Sequence, residues 1–217
     1  MLVVQQGGFD LSVPWGVSLA VVNASHSPAG DDALLLPAVG LALVCAILAG
    51  VGNGILIGIV RLNAIIATIR MNALLYAGVF AVSGGVPRIT TKLLATIATG
   101  EQYGIGNTIL YALILLALVW FVMKHSVAGR RFEAIGANPL ASRAVGLSVR
   151  THQMMAYVLA QVLHCIAGIL IAGVTTQPTA FQGDALLLPS VAVVVLGGTS
   201  LLGGAAFRCQ PCWPPSF

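Results

Sequence analysis

Long stretches without a charged residue are the feature of this sequence that most limits its fold. Aspartate, glutamate, lysine and arginine are absent from residues 11–30, 33–60, 102–123, 151–183 and 185–207, and residues 62–87 are interrupted only by Arg70. About 20 apolar residues of helix cross the roughly 30 Å hydrocarbon core of a bilayer. The sequence therefore predicts about six membrane-embedded segments, of which the first and last are rich enough in Gly, Pro and polar residues to be broken or re-entrant.

Composition excludes a water-soluble enzyme. Hydrophobic residues make up 58% of the chain and charged residues only 7%, too few to cover the surface of a soluble fold. The net charge of +4 reflects scarce acids rather than a dense basic face, which excludes nucleic acid as a partner. Backbone groups in lipid must be bonded within each segment, so the predicted fold class is all-α, a polytopic membrane helix bundle.

The distribution of the basic residues predicts the orientation of the chain. Half of the ten lysines and arginines lie in the loop 124–150, namely Lys124, Arg130, Arg131, Arg143 and Arg150. Positive charge is enriched in cytoplasmic loops, so we predict that this loop faces the cytoplasm. Alternation of the spans then places the loop at residues 31–32 and the turn at Asp184 outside.

The loop 124–150 carries local signals for a short helix. Asn138 is a good N-cap, Pro139 a good first helical residue, and Gly146 suits the left-handed position that ends a helix. The sequence predicts a helix over residues 139–145, with an apolar stripe that includes Leu140 and Val145. A helix this short needs a partner surface, which indicates a docking element for a cytosolic protein. An irregular loop is the alternative.

Four motifs resemble those of a known family. They are the Gly-Gly-Phe-Asp-Leu-Ser-Val run at 7–13, Gly-Asn-Gly at 52–54, the loop 133–149, and Gly183-Asp184 followed by the Gly-Gly-Thr-Ser run within 193–204. In these motifs the chain resembles the membrane-spanning permease subunits of bacterial ATP-binding-cassette importers of the ribose or monosaccharide type. The resemblance covers about residues 5–204.

The resemblance implies a transport subunit that is not itself an enzyme. No phosphate-binding loop with its lysine is present, so ATP hydrolysis is expected in a separate cytosolic ATPase subunit, with no cofactor in this chain. The other implied partners are a second permease subunit, identical or different, a periplasmic or extracellular sugar-binding protein, and the lipid of the bacterial inner membrane. The residues expected to couple to the ATPase are Glu133, Gly136, Asn138, Pro139, Ala141, Arg143 and Gly146.

A path for a neutral sugar needs uncharged hydrogen-bonding groups within the spans. The uncharged candidates are Ser12, Asn53, Asn63, Thr68, Asn72, Gln161 and Thr199. The charged residues Asp10 and Arg70 are further candidates, because ionisable groups within a membrane are commonly functional. Three of them have alternatives. Asp10 is also a good N-cap for a helix from residue 11, and Asn53 is a good bonding partner for a neighbouring span. For Arg70 three interpretations are open: it lines a water-filled cavity, it pairs with Asp10 or Asp184, or it marks a decayed sequence.

The two ends of the chain depart from the family pattern. The expected permease domain is residues 1–204, partial and truncated at both ends, followed by an aberrant, disordered tail rich in Pro and Cys at 205–217. A glycine pair at 197–198 and another at 203–204 predict close helix contact or a broken helix. No metal site is expected. The alternative functions are a non-functional remnant, a permease for a nucleoside, an autoinducer or a branched-chain amino acid, and a stand-alone channel or secondary transporter.

Overall fold

Helices account for nearly all the regular structure. The computed structural model describes residues 1–102 and 104–196, so Thr199, both glycine pairs and the tail lie outside the described residues. The helices are α1 (Leu2–Gln5), α2 (Val13–His26), α3 (Leu35–Gly54), α4 (Ala64–Ser83), α5 (Lys92–Thr99), α6 (Asn107–His125), α7 (Val127–Ala137), α8 (Pro139–Ala144), α9 (Val149–Thr175) and α10 (Leu187–Leu196). Two strands, β1 (Glu101–Gln102) and β2 (Ile105–Gly106), pair antiparallel. The predicted all-α bundle is confirmed.

Four helical stretches are long and apolar enough to cross a membrane: Asp32–Ile59, Ala64–Ser83, Asn107–His125 and Val149–Thr175. They coincide with four of the six predicted segments. The first predicted segment instead forms α2, whose 14 residues extend only about 21 Å. The last predicted segment begins as α10, which the structure describes as far as Leu196.

The short helix α2 is the centre of the bundle. Most of its residues are buried, and it packs against α9, α4 and α3. Val17, Val21 and Ala24 of α2 form one core cluster with Leu94 of α5 and Ala172 of α9. A helix that is apolar on every side must be surrounded by protein or lipid, and here protein surrounds it.

A stripe of small residues holds α3 against α9. Gly50 and Gly54 continue a four-residue repeat that begins with the buried alanines of α3 and ends at Gly58, in the π-helical turn Ile55–Ile59. A Cβ atom on Gly50 would lie 2.6 Å from the Cα atom of Val158, and one on Gly58 would lie 3.1 Å from the carbonyl oxygen of Arg150. Small residues let helix backbones approach closely in a membrane protein.

We expect Gly50→Ala to lower the stability of the bundle by about 1–3 kcal/mol, because the added methyl group overpacks a backbone contact. The measurement is the midpoint of thermal unfolding in detergent. Gly40→Ala is the matched control, since Gly40 lies on the same helix with no neighbouring atom within 4 Å of the added Cβ. That variant should be neutral or slightly stabilised, and equal midpoints for the two variants would contradict the packing described.

The chain between α9 and α10 doubles back into the bundle. Thr176, just after α9, accepts a hydrogen bond from the backbone N–H of Thr90 at 2.8 Å. Seven residues later, the backbone N–H of Gly183 donates to Ser18 Oγ of α2 at 3.0 Å. The sequence predicted an external turn at Asp184. That external position stays a prediction; within the bundle the turn lies beside α2, because residues 176–183 return along that helix.

Candidate functional site

Four of the predicted path residues meet in a buried polar cluster, which consists of Asp10, Ser12, Asn53 and Gln161. Ser12 is its centre. The Ser12 hydroxyl donates to Asp10 Oδ1 and accepts from Asn53 Nδ2 at 3.1 Å and from Gln161 Nε2 at 2.6 Å. The cluster thus joins the segment before α2 to both α3 and α9.

Burial governs what the polar cluster can contact. Ser12, Asn53 and Gln161 are at most 1% exposed, so in this conformation they bond to one another rather than to a solute. The prediction that Asn53 bonds a neighbouring segment is confirmed. Asp10 does not cap a helix from residue 11. The helix begins at Val13, and Asp10 Oδ1 accepts from the backbone N–H of Ser12 at 2.9 Å.

The remaining path candidates are dispersed along α4. Asn63 is its N-cap, with Oδ1 accepting from the N–H of Ile65 at 2.9 Å. Thr68 bonds the carbonyl oxygen of Ala64 in its own helix at 2.8 Å. Arg70 is exposed on the surface of α4, and the carbonyl oxygen of the Asn72 amide is buried without a hydrogen-bond partner. The structure therefore brings none of these side chains into the polar cluster.

The short helix predicted in the loop 124–150 is present as α8. Asn138 Oδ1 accepts from the backbone N–H groups of Leu140 and Ala141 at 3.1 and 3.0 Å, as an N-cap does. Pro139 is the first helical residue. The helix ends at residue 144, one earlier than predicted, and Gly146 follows in the left-handed region with φ +82°. The local signals were therefore sufficient to predict this element.

A second helix in the same loop, α7, was missed. Its N-cap is Ser126, whose hydroxyl accepts from the N–H of Gly129 at 2.9 Å. This N-cap serine is the signal in the sequence that could have predicted α7. The Ser142 hydroxyl of α8 donates to the carbonyl oxygen of Ala134 at 3.1 Å, so α8 is bonded directly to α7.

Helix α7 is anchored to the segment that precedes the polar cluster. Gln6 Nε2 donates to the carbonyl oxygen of Phe132 at 2.8 Å in a buried bond. Gly136 packs so closely that a Cβ atom there would lie 2.6 Å from the carbonyl oxygen of Gln5. A continuous series of contacts thus runs from α8 through α7 to residues 5–12.

The outer surface of α8 is apolar and unoccupied by the described chain. Leu140 and Val145 are each 76% exposed, and Pro139, Ala141 and Arg143 are exposed beside them. Two apolar side chains next to a cation on a short helix form a suitable docking surface for a protein partner. We call these five residues the α8 surface.

Two other predicted coupling residues, Glu133 and Gly136 of α7, line a different feature, a cavity of about 1250 Å³. Residues 1–13 and helices α6, α9 and α10 supply its other walls, chiefly through leucine and valine side chains. Asp10 and His164 are among its few polar groups. Such a lining suits an apolar helix or acyl chain better than a solute covered with hydroxyl groups.

Comparison with known proteins decides the family. The family model described as "Branched-chain amino acid transport system / permease component" matches residues 1–207. The chain belongs to this permease family. The polar cluster, α7 and α8 all lie within the matched residues. No solved structure matches the chain.

Several permeases are similar to this member of the family. The chain is 32% identical to the galactofuranose transporter permease protein YtfT and 33% identical to the ribose import permease protein RbsC, both of Escherichia coli, with 94% of the chain covered in each case. It is also 32% identical to the probable ABC transporter permease protein y4mJ of Sinorhizobium fredii. The chain covers 60% of YtfT, 61% of y4mJ and 64% of RbsC, so it spans less than two thirds of these relatives.

Proposed function

We propose that this permease is a membrane-spanning subunit of an ATP-driven importer for a monosaccharide. The observation that carries the proposal is the match to the permease family over residues 1–207, together with relatives that are named for ribose and galactofuranose transport. The four long apolar helices agree with a position in the bacterial inner membrane.

We place the loop 124–150, which contains α7 and α8, on the cytoplasmic side because it holds half of the basic residues. There the α8 surface docks on a cytosolic ATP-binding-cassette ATPase, which carries out all the ATP hydrolysis. A second permease subunit completes the path, and an external sugar-binding protein delivers the solute. This chain contributes neither a catalytic residue nor a cofactor.

The mechanism is alternating access driven through α8. Closure of the ATPases on nucleotide displaces α8, and the bond from Ser142 to Ala134 passes the displacement to α7. The bond from Gln6 to Phe132 then passes it to the segment before α2. That segment ends in the polar cluster, which is bonded to α3 and α9. Movement of one short cytosolic helix thereby reorients the spans around the path.

We expect the double variant Leu140→Asp and Val145→Asp to lose its binding to the ATPase subunit. Two carboxylates would replace the apolar centre of the α8 surface, which costs a protein interface about 2 kcal/mol or more and thus weakens binding at least about 30-fold. The measurement is co-purification of the permease with a cassette ATPase encoded in the same operon.

Leu36→Asp is the control, because Leu36 is 80% exposed at the start of α3, on the opposite side of the bundle. This variant should retain the ATPase. Retention by the α8 double variant as well would rule out docking through α8. Sugar uptake into liposomes without any ATPase would favour a stand-alone transporter instead.

A further inference from the structure

The segment 176–183 is irregular backbone that runs alongside the buried helix α2. At its start it lies near the end of α9, where Ala172 packs with Ala24 of α2. At its end, Gly183 lies against the carbonyl oxygen of Pro14, ten residues earlier in α2. Ten helical residues correspond to about 15 Å, so the segment descends about half the thickness of the hydrocarbon core.

Lipid cannot cover such a segment. Irregular backbone at this depth occurs only where protein buries it or where it lines a water-filled cavity. Thr179 and Phe181 are exposed, and within the described part of the chain their backbone N–H groups have no hydrogen-bond acceptor. Thr179 Oγ1 donates to Gln182 Oε1 at 3.3 Å, which adds a hydroxyl and an amide to the same surface. Exposed donors of this kind need water or a polar solute.

Four aromatic rings lie beside these polar groups. Trp15 and Tyr76 are in edge contact with ring centroids 4.4 Å apart, and Tyr76 contacts Phe80 at 5.2 Å. Phe181 closes the group, with centroids 5.9 Å from both Trp15 and Phe80. Trp15 is buried, whereas Tyr76, Phe80 and Phe181 are about 40% exposed. The rings join α2 and α4 to the segment 176–183.

We propose that Tyr76, Phe80, Thr179, Phe181 and Gln182 form a solute-binding surface in the outer half of the translocation path. Its ligand is a neutral molecule with many hydroxyl groups, whose C–H face packs on the exposed rings while its hydroxyls bond to Thr179, Gln182 and the backbone N–H groups of Thr179 and Phe181. This inference rests on the proposed import function and names the part of the chain that the sugar contacts.

The two other candidate sites fit such a ligand less well. The polar cluster around Ser12 is closed and has already used most of its donors internally. The 1250 Å³ cavity between α6 and α9 is lined mainly by aliphatic side chains. The solute-binding surface instead combines three rings that are about 40% exposed with the exposed hydroxyl-bearing residue Thr179.

Thiol labelling tests the surface independently of any ATPase. Thr179→Cys and Gln182→Cys are made in a chain whose four native cysteines are replaced by alanine, and a charged, membrane-impermeant methanethiosulfonate is added to membranes. Leu48→Cys is the lipid-facing control, since Leu48 is 65% exposed on α3. We expect the two surface cysteines to react at least about tenfold faster than the control. D-Ribose or D-galactose at saturating concentration should slow them at least about threefold. Labelling as slow as the control, or unaffected by either sugar, would overturn the proposal.

Uptake by the complete importer separates failure of this surface from failure of the proposed function. Phe181→Ala and Gln182→Ala should each lower uptake of radiolabelled D-ribose or D-galactose at least fivefold, while the ATPase still co-purifies. Phe121→Ala is the aromatic control, because Phe121 is 58% exposed on α6, away from the surface. Wild-type uptake by both surface variants would refute the proposed surface alone. Absence of ATP-dependent uptake in the wild-type importer, with sugar-protected labelling retained, would refute the import function and leave the surface as a binding site.

Discussion

Replacement of Ser12 by alanine is expected to lower the stability of the bundle by about 2–6 kcal/mol. The variant removes the hydroxyl that Asn53 and Gln161 donate to, and both amides are almost completely buried. Each stranded donor costs about 1–3 kcal/mol in a protein interior.

Thermal unfolding in detergent measures this loss, which corresponds to a fall of at least about 4 °C in the midpoint. Ser25→Ala is a matched control, because Ser25 is a fully buried serine near the end of α2 whose hydroxyl bonds only to that helix, at the carbonyl oxygen of Val21 and at His26 Nδ1. That change removes local bonds only and should cost about 1 kcal/mol. Equal effects of the two substitutions would show that the polar cluster does not hold α2 against α3 and α9.

The elements that could be predicted from sequence are those that local signals specify. Hydrophobic length located α3, α4, α6 and α9, because a span of about 20 apolar residues is a local property. The same holds for α8, where the N-cap Asn138, the proline after it and the left-handed Gly146 are consecutive local signals. The path candidates Asp10, Ser12, Asn53 and Gln161 could also be predicted, because a polar residue in or beside an apolar segment is a local property of the sequence.

The features that were not predicted depend on contacts between distant parts of the chain. An uncharged stretch does not reveal that α2 covers only 14 residues and lies within other helices, because burial in protein and burial in lipid require the same composition. The return of residues 176–183 is fixed by a bond between Gly183 and Ser18, 165 positions apart. The meeting of Asn53 and Gln161 at Ser12 likewise depends on how α3 and α9 pack.

These non-local contacts give the permease its asymmetry between two halves of the bundle. In the proposed orientation, the cytoplasmic half contains a closed, buried junction at Ser12 that connects to α7 and α8. The outer half contains an irregular segment with exposed rings and with backbone N–H groups, on Thr179 and Phe181, that have no acceptor among the residues that the structure describes. A rigid junction transmits displacement, whereas an exposed surface exchanges solute with water, so the two halves suit the two tasks of a transporter.

Gly183→Val is expected to have an effect as large as that of Ser12→Ala, about 3–5 kcal/mol, and to abolish uptake. A Cβ atom on Gly183 would overlap the carbonyl oxygen of Pro14, so the segment 176–183 would have to leave α2 and lose its bond to Ser18. Gly106→Val is the matched control, because Gly106 also precedes a helix with negative φ, −62° against −78° for Gly183, and a Cβ atom there meets nothing within 4 Å. Thermal unfolding and sugar uptake should change little in the control. A Gly183→Val protein with the stability and uptake of the control would show that the segment does not return along α2.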